Sequence, residues 1–130
     1  MKLPTRSSLS PDRVAIAAGV DTALVTVFVA IGRRNHDEDP GIAGLVTTAA
    51  PFLLGLAAGW VVARAWNKPF DLRTGLVVWP VTVVIGMLGR RIVGDGTAVS
   101  FVVVATLFTG VTLVGWRAAR ATVAAKRHAV

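Results

Sequence analysis

Apolar residues in this chain run in four long blocks, Val14–Gly32, Ile42–Ala63, Leu72–Gly89 and Thr97–Trp116. Each block holds about twenty residues, the length at which an α-helix crosses a hydrocarbon core of ~30 Å. A backbone inside lipid must satisfy its own polar groups, so blocks of this kind predict helices. The expected fold is all-α, a four-helix transmembrane bundle forming one integral membrane domain over residues 1–130. Small residues spaced by four predict the contact faces, because helices in lipid associate by close packing. Ala43, Thr47, Pro51, Gly55 and Gly59 form such a row, and Gly110 ends a row in the fourth block. Ala18, Thr22, Thr26 and Ala30 form another in the first.

Two short motifs recur along the chain. Ile31-Gly32-Arg33-Arg34 returns as Leu88-Gly89-Arg90-Arg91, and Gly59-Trp60 returns as Gly115-Trp116, at offsets of 57 and 56 residues. This pattern predicts a duplicated helical hairpin, with the halves related by a pseudo-twofold along the membrane normal.

Composition agrees with a lipid environment, since 54% of residues are apolar and 16% are charged, against ~25% charged in an average soluble domain. The net charge of +7 sits at the ends of the spans, where lipid headgroups and orientation account for it without nucleic acid. Lys2, Arg6 and Arg13 precede a first block too long for a signal-peptide core, so a retained helix is expected. Ten Lys and Arg lie on the side of the termini and of the 64–73 segment, against four, Arg33, Arg34, Arg90 and Arg91, on the other. The positive-inside rule therefore predicts a plasma-membrane protein with both termini cytoplasmic and one orientation.

Asp21 stands seven residues beyond Val14, ~10 Å into the first span, and is the only acidic side chain inside the four blocks as drawn. An intramembrane carboxylate faces the bundle interior, protonates, or finds a partner. Depth counting on the other spans puts Trp79, Gly55 and Gly110 at its level, with Thr82, Thr106 and Thr109 nearby. An acid beside an aromatic wall and hydroxyls is a candidate site for binding a small solute or coupling its movement to a proton. Interhelical hydrogen bonding to threonines is the purely structural alternative. Pro51 and Pro80 each remove a backbone donor within a span.

Arg33, Arg34, Arg90 and Arg91 are candidate contacts for lipid headgroups, as is His36 in the loop that follows the first span. That loop is rich in acids but has a single histidine, and the chain has no cysteine, so no metal site or cofactor is expected. No nucleophile with a neighbouring base and no phosphate loop occurs, which argues against an enzyme.

The run from Asp21 through Gly32-Arg33-Arg34-Asn35-His36-Asp37, with Trp79-Pro80 and Gly89-Arg90-Arg91, resembles the domain-of-unknown-function 3054 family of small four-span membrane proteins. The resemblance implies a multi-pass membrane location and carries no activity with it. Two expectations follow for function. One is movement of a small solute or ion with Asp21 as coupling group; the other is a non-catalytic accessory subunit or lipid-binding scaffold, as a homodimer or beside a partner in a membrane complex.

Overall fold

The computed structural model describes residues 11–35, 42–94 and 98–129. Helix α1 is Pro11–Asn35, α2 is Ile42–Ala63 and α3 is Leu72–Ile92. Helix α4, Val99–Thr109, continues through a π-helical turn, Gly110–Val114, into α5, Gly115–Ala129. The described residues contain no strand, and four helical stretches, Pro11–Gly32, Ile42–Ala63, Leu72–Ile92 and Val99–Lys126, are long and apolar enough to cross a membrane. The chain is thus an all-α, multi-pass membrane bundle. Its base is the end that carries the 64–71 connection; its rim is the end where α1 and α3 finish.

Two boundaries differ from those read in the sequence. Helix α1 starts at Pro11 rather than near Val14, with proline in the first turn, where its missing N–H costs nothing. The last helix passes Trp116 without a break and ends at Ala129, since α5 consists mostly of Ala, Arg and Lys, all strong helix formers. From Val99 to Ala129 it measures roughly 45 Å at 1.5 Å per residue. Arg117 therefore belongs to a helix inside the bundle, and not to a tail.

Only 22% to 33% of each span is buried inside the bundle, so most of every helix faces outward. Those outer faces carry Ile16, Leu54, Val84, Val103 and Leu107, a surface that lipid solvates and water would not. Inside, Phe28 meets Phe52 edge-on at 5.7 Å and lies 5.5 Å from Phe108 and 6.0 Å from Phe101. This aromatic knot fills the rim half of the core together with Val25, Val29 and Ala49.

Helices α2 and α3 pack most extensively, and glycines on both make it so. A Cβ on Gly55 would stand 2.7 Å from the Thr82 carbonyl oxygen, and one on Gly59 would stand 3.0 Å from that of Val78. In return α3 offers Gly86 to the Phe52 ring and Gly89 to the Pro51 ring. The Pro51, Gly55 and Gly59 part of the expected row is thus a real seam, whereas Ala43 and Thr47 are exposed. The row proposed for α1 faces the wrong way: Thr22 and Ala30 are exposed, and Ala17, Asp21, Val25 and Phe28 point inward. Residue size alone misled there, because on α1 the larger side chains fill the space between helices. At the rim, Gly94 at φ 89° ends α3 in a conformation that a side chain resists.

The seam predicts opposite outcomes for one substitution at two sites. Gly55→Ala should destabilise the bundle by about 1–3 kcal/mol, because the added methyl meets backbone. Gly19→Ala, with nothing within 4 Å, should be neutral or gain up to about 1 kcal/mol from helix propensity. Thermal unfolding of the two variants in one detergent checks both signs.

Candidate functional site

Asp21 is fully buried and is held by four donors. Its Oδ2 accepts from Arg117 Nη2 at 2.7 Å and from Trp60 Nε1 at 2.8 Å. Its Oδ1 accepts from Arg117 Nη1 at 3.0 Å and from Trp116 Nε1 at 2.9 Å. Each carboxylate oxygen therefore receives one guanidinium N–H and one indole N–H. The two tryptophans are those of the repeated Gly-Trp motif, one from each half of the chain, and they converge on one acid.

The direction in which side chains lean explains the convergence. Helical side chains tilt toward their helix's own N-terminus. In α1, which rises from the base, Asp21 tilts toward the base; in α2 and α5, which descend, Trp60, Trp116 and Arg117 tilt toward the rim and meet it. Depth counting from Val14 missed this layer because it assumed that all spans begin in one plane. Asp21 is ten residues from the start of α1, whereas Trp60 is three from the end of α2, so α1 projects beyond its neighbour at the base.

Arg117 is itself fully buried, and two of the three N–H donors it does not give to Asp21 bond to backbone carbonyls. Nε donates to the Pro69 carbonyl at 2.9 Å and Nη1 to the Leu113 carbonyl at 2.9 Å. Its guanidinium also stacks over the Trp116 ring, 4.6 Å from the centroid. Gly75 makes room for it, since a Cβ there would stand 3.0 Å from Arg117 Cδ. Around the pair, Phe70 packs edge-on against Trp116 at 5.7 Å and lies between the guanidinium groups of Arg13 and Arg120, at 4.5 Å and 4.2 Å. The base is thus closed by an acid neutralised in place and by aromatic rings carrying cations.

The residues grouped with Asp21 in the sequence lie elsewhere. Trp79 donates to the Thr106 carbonyl at 2.8 Å, and its ring lies where a Cβ on Gly110 would stand, 2.6 Å from Cε2. It ties α3 to α4 where the π-helical turn begins. Thr82, Thr106 and Thr109 donate to the carbonyls of Val78, Val102 and Ala105 in their own helices, at 2.7, 2.7 and 2.6 Å. Their hydroxyls serve the backbone, as threonines in apolar helices commonly do. Arg90 stacks on Phe101 at 4.2 Å, and Arg91 is exposed; both sit in the last turn of α3, where the helix dipole favours cations. Arg33 and Arg34 fall in the last turn of α1, but their side chains, like all of His36, lie outside the described residues.

The residues that sequence reasoning left out are Trp60, Trp116 and Arg117. Arg117 was counted among the charges flanking a span, although a buried acid in α1 requires a cation and Gly115-Trp116-Arg117 stands next to a span end. The missing signal is the length and tilt of an arginine, which reaches several ångströms along the helix toward the rim.

Breaking a buried pair from one side leaves an uncompensated charge, which costs about 3–5 kcal/mol, whereas removing both partners costs less. Asp21→Asn and Arg117→Gln should therefore each lower stability markedly, and the double variant should be more stable than the two losses added together. A double-mutant cycle on unfolding in detergent measures this coupling.

No curated protein and no solved structure matches this chain. A family model does match, over residues 18–120, which include Asp21, Trp60, Trp116 and Arg117. With most of its length covered, and a four-helix membrane bundle as its fold, the chain belongs to the family described as protein of unknown function (DUF3054).

Proposed function

We propose that the protein is a non-catalytic scaffold or accessory subunit of the plasma membrane, with both termini in the cytoplasm. The observation supporting this reading is the saturation of Asp21. A carboxylate that takes up and releases a solute or proton in each cycle needs an acceptor position to spare. Each oxygen of Asp21 already accepts two hydrogen bonds of 3.0 Å or less, and the acid is sealed from outside. Such a group fixes helices in place. A bundle so fixed, with apolar outer faces on its helices, suits the holding of a partner helix, a second copy of the chain or lipid. The orientation rests on the excess of Lys and Arg at the base.

Movement of a small solute or ion, with Asp21 as coupling group, is the second reading. The observation favouring it is the π-helical turn Gly110–Val114 just before Trp116 and Arg117. Such turns concentrate at functional sites. A change of register there would withdraw both donors from Asp21 together.

Proteoliposomes distinguish the two. Under the scaffold reading, vesicles holding the purified protein leak protons and small solutes no faster than protein-free vesicles, and the chain extracted in mild detergent brings a fixed partner with it. A flux supported by the wild type and abolished by a folded Asp21→Asn variant would establish the second reading instead. Tags on both termini should be reachable by membrane-impermeant reagent only from the cytoplasmic side.

A further inference from the structure

At the base, where α2 ends and α3 begins, the surface holds a partly open cavity of about 330 Å³. Arg64, Lys68 and Arg73 line it, with Asn67 and the single carboxylate of Asp71. Its apolar wall is Ala63, in the last turn of α2, and Val77, in the second turn of α3. Trp66, 43% exposed, lies in the same connection, and an exposed tryptophan at a span end marks the headgroup level of a bilayer. The cavity is thus polar on its outer side and apolar where it adjoins the acyl region.

Two of its three cations occupy positions that local structure disfavours. Helix α2 ends in a paired-bond cap, with Ala65 N–H bonded to the Trp60 carbonyl at 3.0 Å and Arg64 N–H to that of Val61 at 3.2 Å. That cap puts Arg64 at φ 50°, a left-handed conformation normally given to glycine. Arg73 lies in the first turn of α3, whose positive dipole end repels a cation. Asp71 caps that end, its carboxylate accepting from the Arg73 backbone N–H at 2.8 Å, and is the single negative charge set against the three cations. Departures from local preference gather at sites kept for binding. With Lys68 added, three cations face one carboxylate, leaving a surplus of two positive charges. Basic cavities between helices at the headgroup level hold phosphate-bearing lipids.

We propose that this cavity binds the phosphate headgroup of an anionic phospholipid carrying two negative charges, with Arg64, Lys68 and Arg73 as the phosphate contacts. The site stands whether the bundle acts as a scaffold or moves a solute, because it lies outside the Asp21 cluster.

The full chain in nanodiscs of phosphatidylcholine with a minor fraction of cardiolipin tests it, read as cardiolipin retained per protein by native mass spectrometry during detergent washing. Retention should exceed that of phosphatidylcholine, and each of Arg64→Gln, Lys68→Gln and Arg73→Gln should weaken it by roughly fivefold. Lys126→Gln, which removes a charge from α5 away from the cavity, should leave it unchanged. Arg64→Gly separates binding from folding: it relieves the left-handed backbone, so thermal stability should hold or rise while retention falls. Equal retention by the triple glutamine variant, equal retention of phosphatidylcholine, or a loss of retention with Lys126→Gln as large as with Arg64→Gln would overturn the proposal. Displacement of cardiolipin by millimolar inorganic phosphate would also overturn it, by assigning the site to a soluble anion.

Discussion

The contact between Asp21 and Arg117 governs the base of this bundle. Neither charge is tolerable in hydrocarbon alone, and the two together are tolerable only if their remaining hydrogen-bonding capacity is met. The surrounding features can be read as meeting it. Trp60 and Trp116 fill the carboxylate, Pro69 and Leu113 accept from the guanidinium, and Gly75 leaves space for the arginine stem. Even the connection between α2 and α3 is bent inward to bring the Pro69 carbonyl within reach. A polar network in a dry setting is stabilising only when complete, and among the described residues this one has no open acceptor on Asp21.

The two ends of the bundle are built on different principles. Toward the rim the helices meet through phenylalanine rings and through glycines that let α2 and α3 approach to backbone contact. That half is held by shape. Toward the base they meet through charge and directed N–H groups, and the nonpolar share of the contact is supplied by indole and phenyl rings that carry guanidinium groups on their faces. Trp79 joins the two halves. Its indole binds the Thr106 carbonyl at the point where α4 passes into the π-helical turn, and that turn sets the register of Trp116 and Arg117 below it.

Much of the fold is legible in the amino-acid sequence, and the reason is the solvent. Lipid demands long apolar runs, so helix number, order and approximate limits can be read from hydropathy, and α2 is found with its observed bounds. The α2–α3 seam is also legible, because Gly55 and Gly59 recur at helical spacing. Asp21 is conspicuous for its charge. Its partners are not, for three physical reasons. Arg117 looks like an ordinary flanking cation until its tilt toward the rim is considered. Trp60 and Trp116 look like interfacial anchors, a role in which tryptophan is common. Trp79, at matching depth by residue count, looks like the better neighbour, and only the projection of α1 past the end of α2 separates it from the acid. Residue counting measures distance along one helix, whereas a site depends on how helices are offset against each other.

The bond that closes the base joins the first membrane helix to the last, across 96 residues. Synthesis delivers the acid with the first of the four spans and its counterion with the fourth. A nascent chain with three helices already inserted still carries an unmatched carboxylate, a state that hydrocarbon penalises. Insertion of the fourth span is therefore also the event that locks the base: that helix brings the guanidinium and one indole in a single step. Assembly of this bundle thus has a natural checkpoint at its fourth membrane helix.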